Sequence, residues 1–470
     1  MERFGKVGDP MCFAGSRVLV VGMARSGLAA VKLLSRRNCL VIANDTKSDE
    51  DLADVVEELS GLPGVRLELG RPAEQFVRDV EAVFISPGVP IDSPFIIMAQ
   101  ELGKPVIGEL ELGFMFTKAP VVAITGTNGK TTTTALTGLM FKRAGYNTYV
   151  VGNIGDPLSG HALDIAPEDM VVAEVSSFQL ESIHTFRPKV SAILNITPDH
   201  LNRHHTMECY TEMKSRVFEN QRDDDVVILN WDNLPTRALA ELVKCKLMWF
   251  SRKEEVPAGC FIRDGRIVWR DLEGQEIVMG RTEEVRIPGD HNLENALAAS
   301  ACALSMGVSP MIVRHSLAAF EGVEHRLEFV TEAQGVRFIN DSKGTNADAS
   351  IVAVRAMSLP TIIIAGGYDK HSEFDEFIAS FAGSRIAGMV VLGQTAVKLE
   401  EEAKKHGFAP VERADTLDDA VYKAYTMARP GYNVLLSPAC ASFDMFKDFE
   451  ERGRAFKKIA TEIAAEAGRR

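Results

Sequence analysis

One stretch constrains this chain more than any other: VVAITGTNGKTTTTALTGLM, residues 121–140. Residues 121–124 are apolar and mostly β-branched, as in a strand buried within a parallel sheet. Gly126 and Gly129 then free the backbone. From Lys130 onward apolar residues return at helical spacing, at Ala135, Leu136, Leu139 and Met140. Strand, glycine turn and helix start together make an anion site. Free backbone N–H groups and the positive end of the helix dipole point at phosphate, Lys130 adds charge, and the Thr131 hydroxyl can hold Mg²⁺. The spacing is not the strict G-x-x-x-x-G-K-[ST], since Ile124 stands in the first glycine's place. A Gly/Thr-rich turn before a core helix would explain G-K-T alone. The strand–GTNGKT–helix context predicts a nucleotide-phosphate loop built from Gly126, Thr127, Asn128, Gly129, Lys130, Thr131 and Thr132.

Around this loop the chain alternates strands and helices. RVLVVG (17–22) precedes the turn MARSG and a helix. Gly22, Ala24 and Gly27 stand in the places of G-x-G-x-x-G, with alanine in the middle. CLVIAN (39–44) ends in Asp45, Thr46 and Lys47, and an acid there commonly meets a ribose hydroxyl. AVFISPG (82–88) brings Ser86 and Gly88 to the carboxyl edge of the same sheet. After the loop come VVGNIG (150–155), MVVAEVSS (170–177), VSAILNI (190–196) and residues 226–230. FIRDGRIVW (261–269) reads as a hairpin turning at Asp264-Gly265. HRLEFV and GVRFINDSKGTN form a hairpin-like pair, followed by the buried-strand runs TIIIAGG, GMVVLG and NVLLSPA. With 470 residues, about three domains are expected. The pattern predicts three doubly wound α/β units over 1–108, 109–322 and 323–470: a Rossmann-like unit, a phosphate-loop ATPase-like unit and a second Rossmann-like unit.

Bulk properties narrow the function. A formal net charge of -13 and the lack of a basic run argue against a nucleic-acid surface. Seven cysteines without a C-x-x-C suggest neither a disulfide framework nor a zinc site, and point to a reducing cytoplasm. MERFGKVGDPMCF has no apolar signal core, and no apolar run is long enough for membrane insertion.

Several polar residues sit where packing alone would not put them. Glu174 lies among valines and alanine; it either pairs with a cation on a neighbouring strand or holds Mg²⁺ beside the phosphate loop. His200 follows LNITPD at a strand end, where such sheets form sites, whereas His204 and His205 read as loop residues. Lys214, in TMECYTEMKSRVFEN, has Tyr210, Thr211, Val217 and Phe218 as its three- and four-residue neighbours. It therefore shares a face with inward-pointing groups, and spacing alone favours a snorkelled lysine. In the last segment Asp341 and Lys343, then Asp369 and Lys370, then SPACASFDMF lie just past three strands and read as one pocket edge. Asp444 is expected to cap the final helix.

TGTNGKT, GNIG, EVSSFQLE, LNITPDHLNRH, GDHNLENA, EHRLE, INDSKGTN and SPACASFDMFKDFEERG occur in the order found in Mur ligases, and over nearly its whole length the chain resembles that family. The last two motifs are similar to those of its D-glutamate-adding branch. The resemblance implies a monomeric enzyme that uses ATP to join D-glutamate to UDP-MurNAc-L-Ala through an acyl phosphate. It implies two Mg²⁺ sites, with Thr131, Glu174, His200 and a carbamylated Lys214 as ligands, and a catalytic set of Lys130, Glu174, His200 and Lys214. Asn292, Arg326 and Asp341 would bind ATP, and Asn153 the sugar nucleotide. Ser26, Asp45, Thr46, Lys47, Ser86 and Gly88 would bind the UDP end. Lys343, Thr345, Lys370, Ser442 and Phe449 would form the D-glutamate pocket. A folylpolyglutamate-type ligase shares the loop and the glutamate, but leaves the first ninety-odd residues without a purpose. A nucleotide switch or a dinucleotide oxidoreductase leaves Glu174, His200 and SPACASFD unexplained together.

Overall fold

The computed structural model describes residues 14–153, 156–287, 289–369 and 373–468. The chain divides into two compact units, Met1–Phe320 and Glu321–Arg470. The first holds two sheets and the second one.

The first sheet comprises β1 (Arg17–Val21), β2 (Leu40–Asp45), β3 (Val65–Leu69), β4 (Ala82–Ile85) and β5 (Val106–Gly108), all parallel in the order β3-β2-β1-β4-β5. Its strands are apolar on both faces because helices cover both. Val18 and Val20 enter one core, and Leu19 and Val21 the other. The order reverses between β1 and β4, which opens a crevice at their carboxyl ends.

The second sheet contains β6 (Val121–Thr125), β7 (Thr148–Gly152), β8 (Met170–Glu174), β9 (Val190–Ile193), β10 (Val226–Asn230), β11 (Lys246–Ser251), β12 (Gly259–Arg263), β13 (Arg266–Arg270) and β14 (Glu276–Arg281). Its order is β14-β13-β12-β11-β10-β9-β6-β8-β7, parallel from β7 to β12 and antiparallel beyond. The expected hairpin is β12–β13: Asp264 and Gly265 have φ of 50° and 69°, the left-handed pair of a tight two-residue turn. Here the order reverses around β6. The ends of β6, β8 and β9 therefore converge, and they carry the phosphate loop, Glu174 and the segment leading to His200. The alanine-rich helix Asp290–Ser305 lies close against the helix Lys130–Arg143, as its small residues allow.

In the second unit, β15 (Glu328–Ala333), β16 (Val336–Asn340), β17 (Thr361–Gly366), β18 (Ile386–Leu392), β19 (Val411–Arg413) and β20 (Asn433–Leu436) run in the order β15-β16-β20-β17-β18-β19. β15 and β16 are antiparallel, as the sequence predicts, and the other pairs are parallel. Ile362 and Ile364 face one core, Ile363 and Ala365 the other. All three sheets are doubly wound α/β, the expected fold class. The cap of the final helix, Phe449–Ala467, is Asp448, whose carboxylate accepts from the Glu451 N–H at 2.7 Å. Asp444 is not the cap; its carboxylate accepts from the Gln394 N–H at 3.2 Å. The acid adjacent to the helix outcompetes one four residues earlier.

Candidate active site

The phosphate loop forms because β6 ends in glycines. Gly126 has a φ of 145° and Gly129 of 86°. A Cβ on Gly129 would lie 2.1 Å from Asn295 Oδ1, so only glycine lets the loop approach the helix Asp290–Ser305. Asn195, just past β9, grips the loop: its Oδ1 accepts from the Asn128 N–H (2.8 Å), its carbonyl from the Thr127 N–H (2.9 Å), and its Nδ2 donates to the Asn128 carbonyl (3.1 Å). Asn195 and Asn295 were not singled out in the sequence. Both lie in the polar segments LNITPD and GDHNLENA. Lys130 Nζ folds back on the loop and donates to the carbonyls of Gly126 (3.0 Å) and Thr127 (2.9 Å). Thr131 and Thr132 follow in the first helical turn, and Asn292 lies in the helix whose Asn295 Nδ2 donates to it at 3.2 Å.

Glu174 ends β8 beside Ile124 of β6. No cation on a neighbouring strand pairs with it among the described residues. Oε1 accepts from Asn153 Nδ2 at 2.8 Å, and Oε2, also buried, has no hydrogen-bond partner. A buried carboxylate oxygen without a donor is what a hard cation satisfies, so the site fits Mg²⁺.

Lys214 is not snorkelled. Its side chain, in the helix Met207–Ser215, is 2% exposed. Nζ donates to the Gly126 carbonyl at 2.9 Å and lies 4.5 Å from the centre of the Tyr210 ring. Burial, and then the Lys130 charge, hold the amine well below the ordinary lysine range. The Tyr210 hydroxyl closes the group with a 3.2 Å hydrogen bond to Thr127 Oγ1.

His200 stands at a φ of 53° ahead of the short helix Leu201–His204, with Nε2 3.3 Å from Asp199 Oδ2 and its ring 4.9 Å from that of Phe178. His204 is no loop residue. It is buried at the end of that helix, stacked on Phe178 and hydrogen-bonded through Nε2 to Ser177 Oγ at 2.9 Å. Burial pushes its imidazole down to about 4. Without a helix to place it, its inward face was not legible in the sequence.

In the first sheet, Gly22 follows β1 with a φ of 91°, and Ser86 Oγ donates to its carbonyl at 2.7 Å. Asp45 Oδ2 accepts from the Met23 N–H at 2.7 Å and Oδ1 from the Lys47 N–H at 3.0 Å. Its acid thus joins the ends of β1 and β2. Thr46, Lys47 and Gly88 are exposed, and Ser26 is half-buried.

In the second unit, Asp341 is fully buried. Oδ1 accepts from the Leu327 N–H (3.2 Å) and lies 3.5 Å from Arg326 Nη1, while Oδ2 accepts from Ser437 Oγ (2.8 Å). Burial pushes its carboxyl up, against the pull of Arg326. Lys343 and Thr345 follow in the same loop, with Lys343 Nζ 5.8 Å from the centre of the Phe449 ring. The Phe449 carbonyl accepts from Ser342 Oγ at 2.8 Å. Ser442 is buried midway along the loop after β20. Arg452 ties the two loops together, donating to the carbonyls of Ser342 (2.9 Å) and Cys440 (3.1 Å). The loops that follow the paired strands β16 and β20 are thus tied to each other. Lys370 lies outside the described residues.

In the first unit, a glycine loop between a parallel strand and a helix, with a buried acid and a buried lysine nearby, is the arrangement of a nucleotide-binding enzyme. Family models match it in order: the Mur ligase MurD-like N-terminal domain over 16–108, the Mur ligase middle domain over 124–303, and the Mur ligase glutamate ligase domain over 325–440. The chain belongs to the Mur ligase family. The UDP-N-acetylmuramoylalanine--D-glutamate ligase of Thermoanaerobacter sp. (strain X514) is 49% identical over 451 residues, 96% of this chain and 99% of that protein. The protein of the same name from Caldanaerobacter subterraneus is 48% identical over 449 residues, 95% of this chain and 98% of its own. The MurF ligase of Thermotoga maritima, solved with ADP, matches with a TM-score of 0.56 at 15% identity, covering 98% of this chain and 97% of that one. That last likeness is one of fold.

Proposed function

We propose that this chain joins D-glutamate to UDP-N-acetylmuramoyl-L-alanine at the expense of ATP, in the synthesis of peptidoglycan precursors. The observation that carries this reading is the 49% identity, over 96% of the chain, to a protein named for that ligation. A carboxylate is a poor electrophile, so its oxygen first attacks the γ-phosphorus of ATP. The bond from that phosphorus to the β–γ bridging oxygen breaks, and ADP leaves. The amine of D-glutamate then attacks the acyl carbon, a tetrahedral centre forms, phosphate departs and the amine proton is lost. Both steps concentrate negative charge, which preorganised cations and N–H donors stabilise.

In the first unit, Gly126, Thr127, Asn128, Gly129, Lys130, Thr131 and Thr132 cradle the nucleotide phosphates. Lys130, folded onto its own loop, is poised to exchange two carbonyls for phosphate oxygens. Asn292 is assigned to the adenosine. Thr131, Glu174, His200 and Lys214 as a carbamate would hold Mg²⁺ at two sites, where the metal neutralises phosphate charge. The lowered Lys214 amine supports carbamylation, because only a neutral amine adds CO₂. Asn153 and the edge bearing Ser26, Asp45, Thr46, Lys47, Ser86 and Gly88 are assigned to the sugar nucleotide, with Asp45 acting by shaping that edge.

In the second unit, Arg326 and Asp341 are assigned to ATP, Arg326 to its phosphates, and Asp341 also lies 3.5 Å from Arg326 Nη1. Lys343, Thr345, Lys370, Ser442 and Phe449 are assigned to D-glutamate. The three functional units are assigned to 1–108, 109–322 and 323–470. No helix among the described residues is long and apolar enough to cross a membrane. We assign the reaction to the cytoplasm, to small-molecule substrates and to a monomer. The deciding experiment is ADP release with UDP-N-acetylmuramoyl-L-alanine present, varied over D-glutamate, L-glutamate and L-lysine. Turnover with D-glutamate alone is expected; equal or greater turnover with L-lysine would overturn the assignment.

A further inference from the structure

Arg203 lies three residues past His200 and was not singled out in the sequence. Its guanidinium is enclosed on several sides. Nε and Nη2 donate to Glu181 Oε1 and Oε2 at 3.2 and 2.5 Å, and Nη2 also donates to the Val89 carbonyl at 3.0 Å. Its carbon lies 5.0 Å from the centre of the Phe178 ring, the ring that also meets His200. The Arg203 and Glu181 side chains are 17% and 8% exposed, so this is an enclosed charge pair and not a surface one.

Val89 ends the turn that carries Ser86 and Gly88, and the Val89 N–H donates to the Ser86 carbonyl at 3.0 Å. A Cβ on Gly22 would lie 3.2 Å from Val89 Cγ2, so the turn rests directly on the end of β1. One side chain therefore joins the crevice of the first sheet to the helix that begins after His200. A lysine carries its donors on a single nitrogen and has no planar fork to span both carboxylate oxygens and the carbonyl. The planar fork of arginine serves the carboxylate and the carbonyl together.

We propose that Arg203 is a positioning residue that fixes the span between the two ends of the sugar-nucleotide substrate, the UDP end at Ser86 and Gly88 and the acyl end at His200. This rests on the function proposed above. Binding free energy gained at the UDP end lowers the barrier at the carboxyl only if the two loops keep a fixed separation.

The test uses full-length Arg203→Lys and Glu181→Gln variants, with UDP-N-acetylmuramoyl-L-alanine and ATP varied in turn and amide exchange measured across residues 86–91. For Arg203→Lys the KM for the sugar nucleotide should rise about tenfold and kcat should fall, while the KM for ATP stays within about twofold. Exchange at 86–91 should quicken with little change in the melting midpoint. An unchanged sugar-nucleotide KM, or equal rises in both KM values, would overturn the proposal. If Arg203→Lys does not fold, Glu181→Gln decides by the same split, with a smaller rise of about threefold expected. Wild-type protein that releases no ADP with this sugar nucleotide would sink the functional reading instead, and exchange at 86–91 would then judge the Arg203 strut alone.

Discussion

Lys130 and Lys214 donate to the same acceptor: the Gly126 carbonyl oxygen lies 3.0 Å from one Nζ and 2.9 Å from the other. Two ammonium groups sharing one buried oxygen repel each other, and Lys214, the more deeply buried, is the one driven toward the neutral amine. The phosphate loop and the metal-side lysine are thus one electrostatic unit. Phosphate arriving at the loop offers Lys130 better acceptors than backbone carbonyls.

Lys130→Ala should therefore lose ADP formation by at least about 100-fold in kcat/KM, the order expected for a lost charge-stabilising donor. Its thermal midpoint should stay within a few degrees, because no core packing is removed. Normal turnover in this variant would detach the loop from ATP.

Gly129→Ala should damage both fold and nucleotide binding. The residue holds a φ of 86°, and the added Cβ would meet Asn295 Oδ1 at 2.1 Å. Strain of this kind costs about 1–3 kcal/mol. Urea unfolding should show that loss, and calorimetry with ADP should show weakened binding. Gly145→Ala, at a φ of 93° but with open space around its Cβ, separates the two effects: it carries backbone strain without the clash and should keep nucleotide affinity.

His204 gives the protein an acid-sensitive joint. Its imidazole is buried and lowered from 6.5 to about 4. Above pH 6.5 both folded and unfolded states hold it neutral. Below that, the unfolded state takes up the proton first, so stability falls as the pH drops from 6.5 to about 4. The full loss is on the order of 3 kcal/mol. His204→Gln can still reach Ser177 but does not titrate, so its stability relative to wild type should improve on going from pH 7.5 to pH 4.5. Parallel curves for the two proteins across that range would refute the burial argument.

The doubly wound sheets were legible because their strands are short apolar runs separated by amphipathic stretches, and because glycines mark the turns at their ends. Side-chain direction was less legible. Lys214 looked like a snorkelled lysine because its neighbours Val217 and Phe218 could cover an aliphatic stem equally well at a surface. What sends it inward is the Gly126 carbonyl, contributed by a loop far away in sequence. The inward directions of Arg203 and His204 are hidden for the same reason: their partners, Glu181, Val89 and Ser177, come from other segments. Local rules alone do not separate Asp444 from Asp448, which offers the same cap closer to the helix.

Lys214 supplies the most discriminating chemistry. Its amine is held well below 10.5, so between the folded value and 10.5 the unfolded chain binds more protons, and stability rises with pH through that window. Lys214→Met removes the buried ionisable group and should be more stable than wild type at neutral pH in CO₂-free buffer, with the advantage shrinking as the pH approaches 10.5. In activity the order reverses. A neutral amine can add to CO₂, lose a proton and become a carbamate, which offers oxygen atoms that suit Mg²⁺. Lys214→Ala should lose most activity, and acetate should restore part of it by placing a carboxylate in the vacated space. Lys214→Arg should not recover, because it keeps the charge and cannot be carbamylated in this way. In wild-type protein, ¹³CO₂ should give a carbamate carbon resonance that is missing in Lys214→Arg. Near-normal turnover by Lys214→Arg, or the same resonance in both proteins, would return Lys214 to the role of a buried structural lysine.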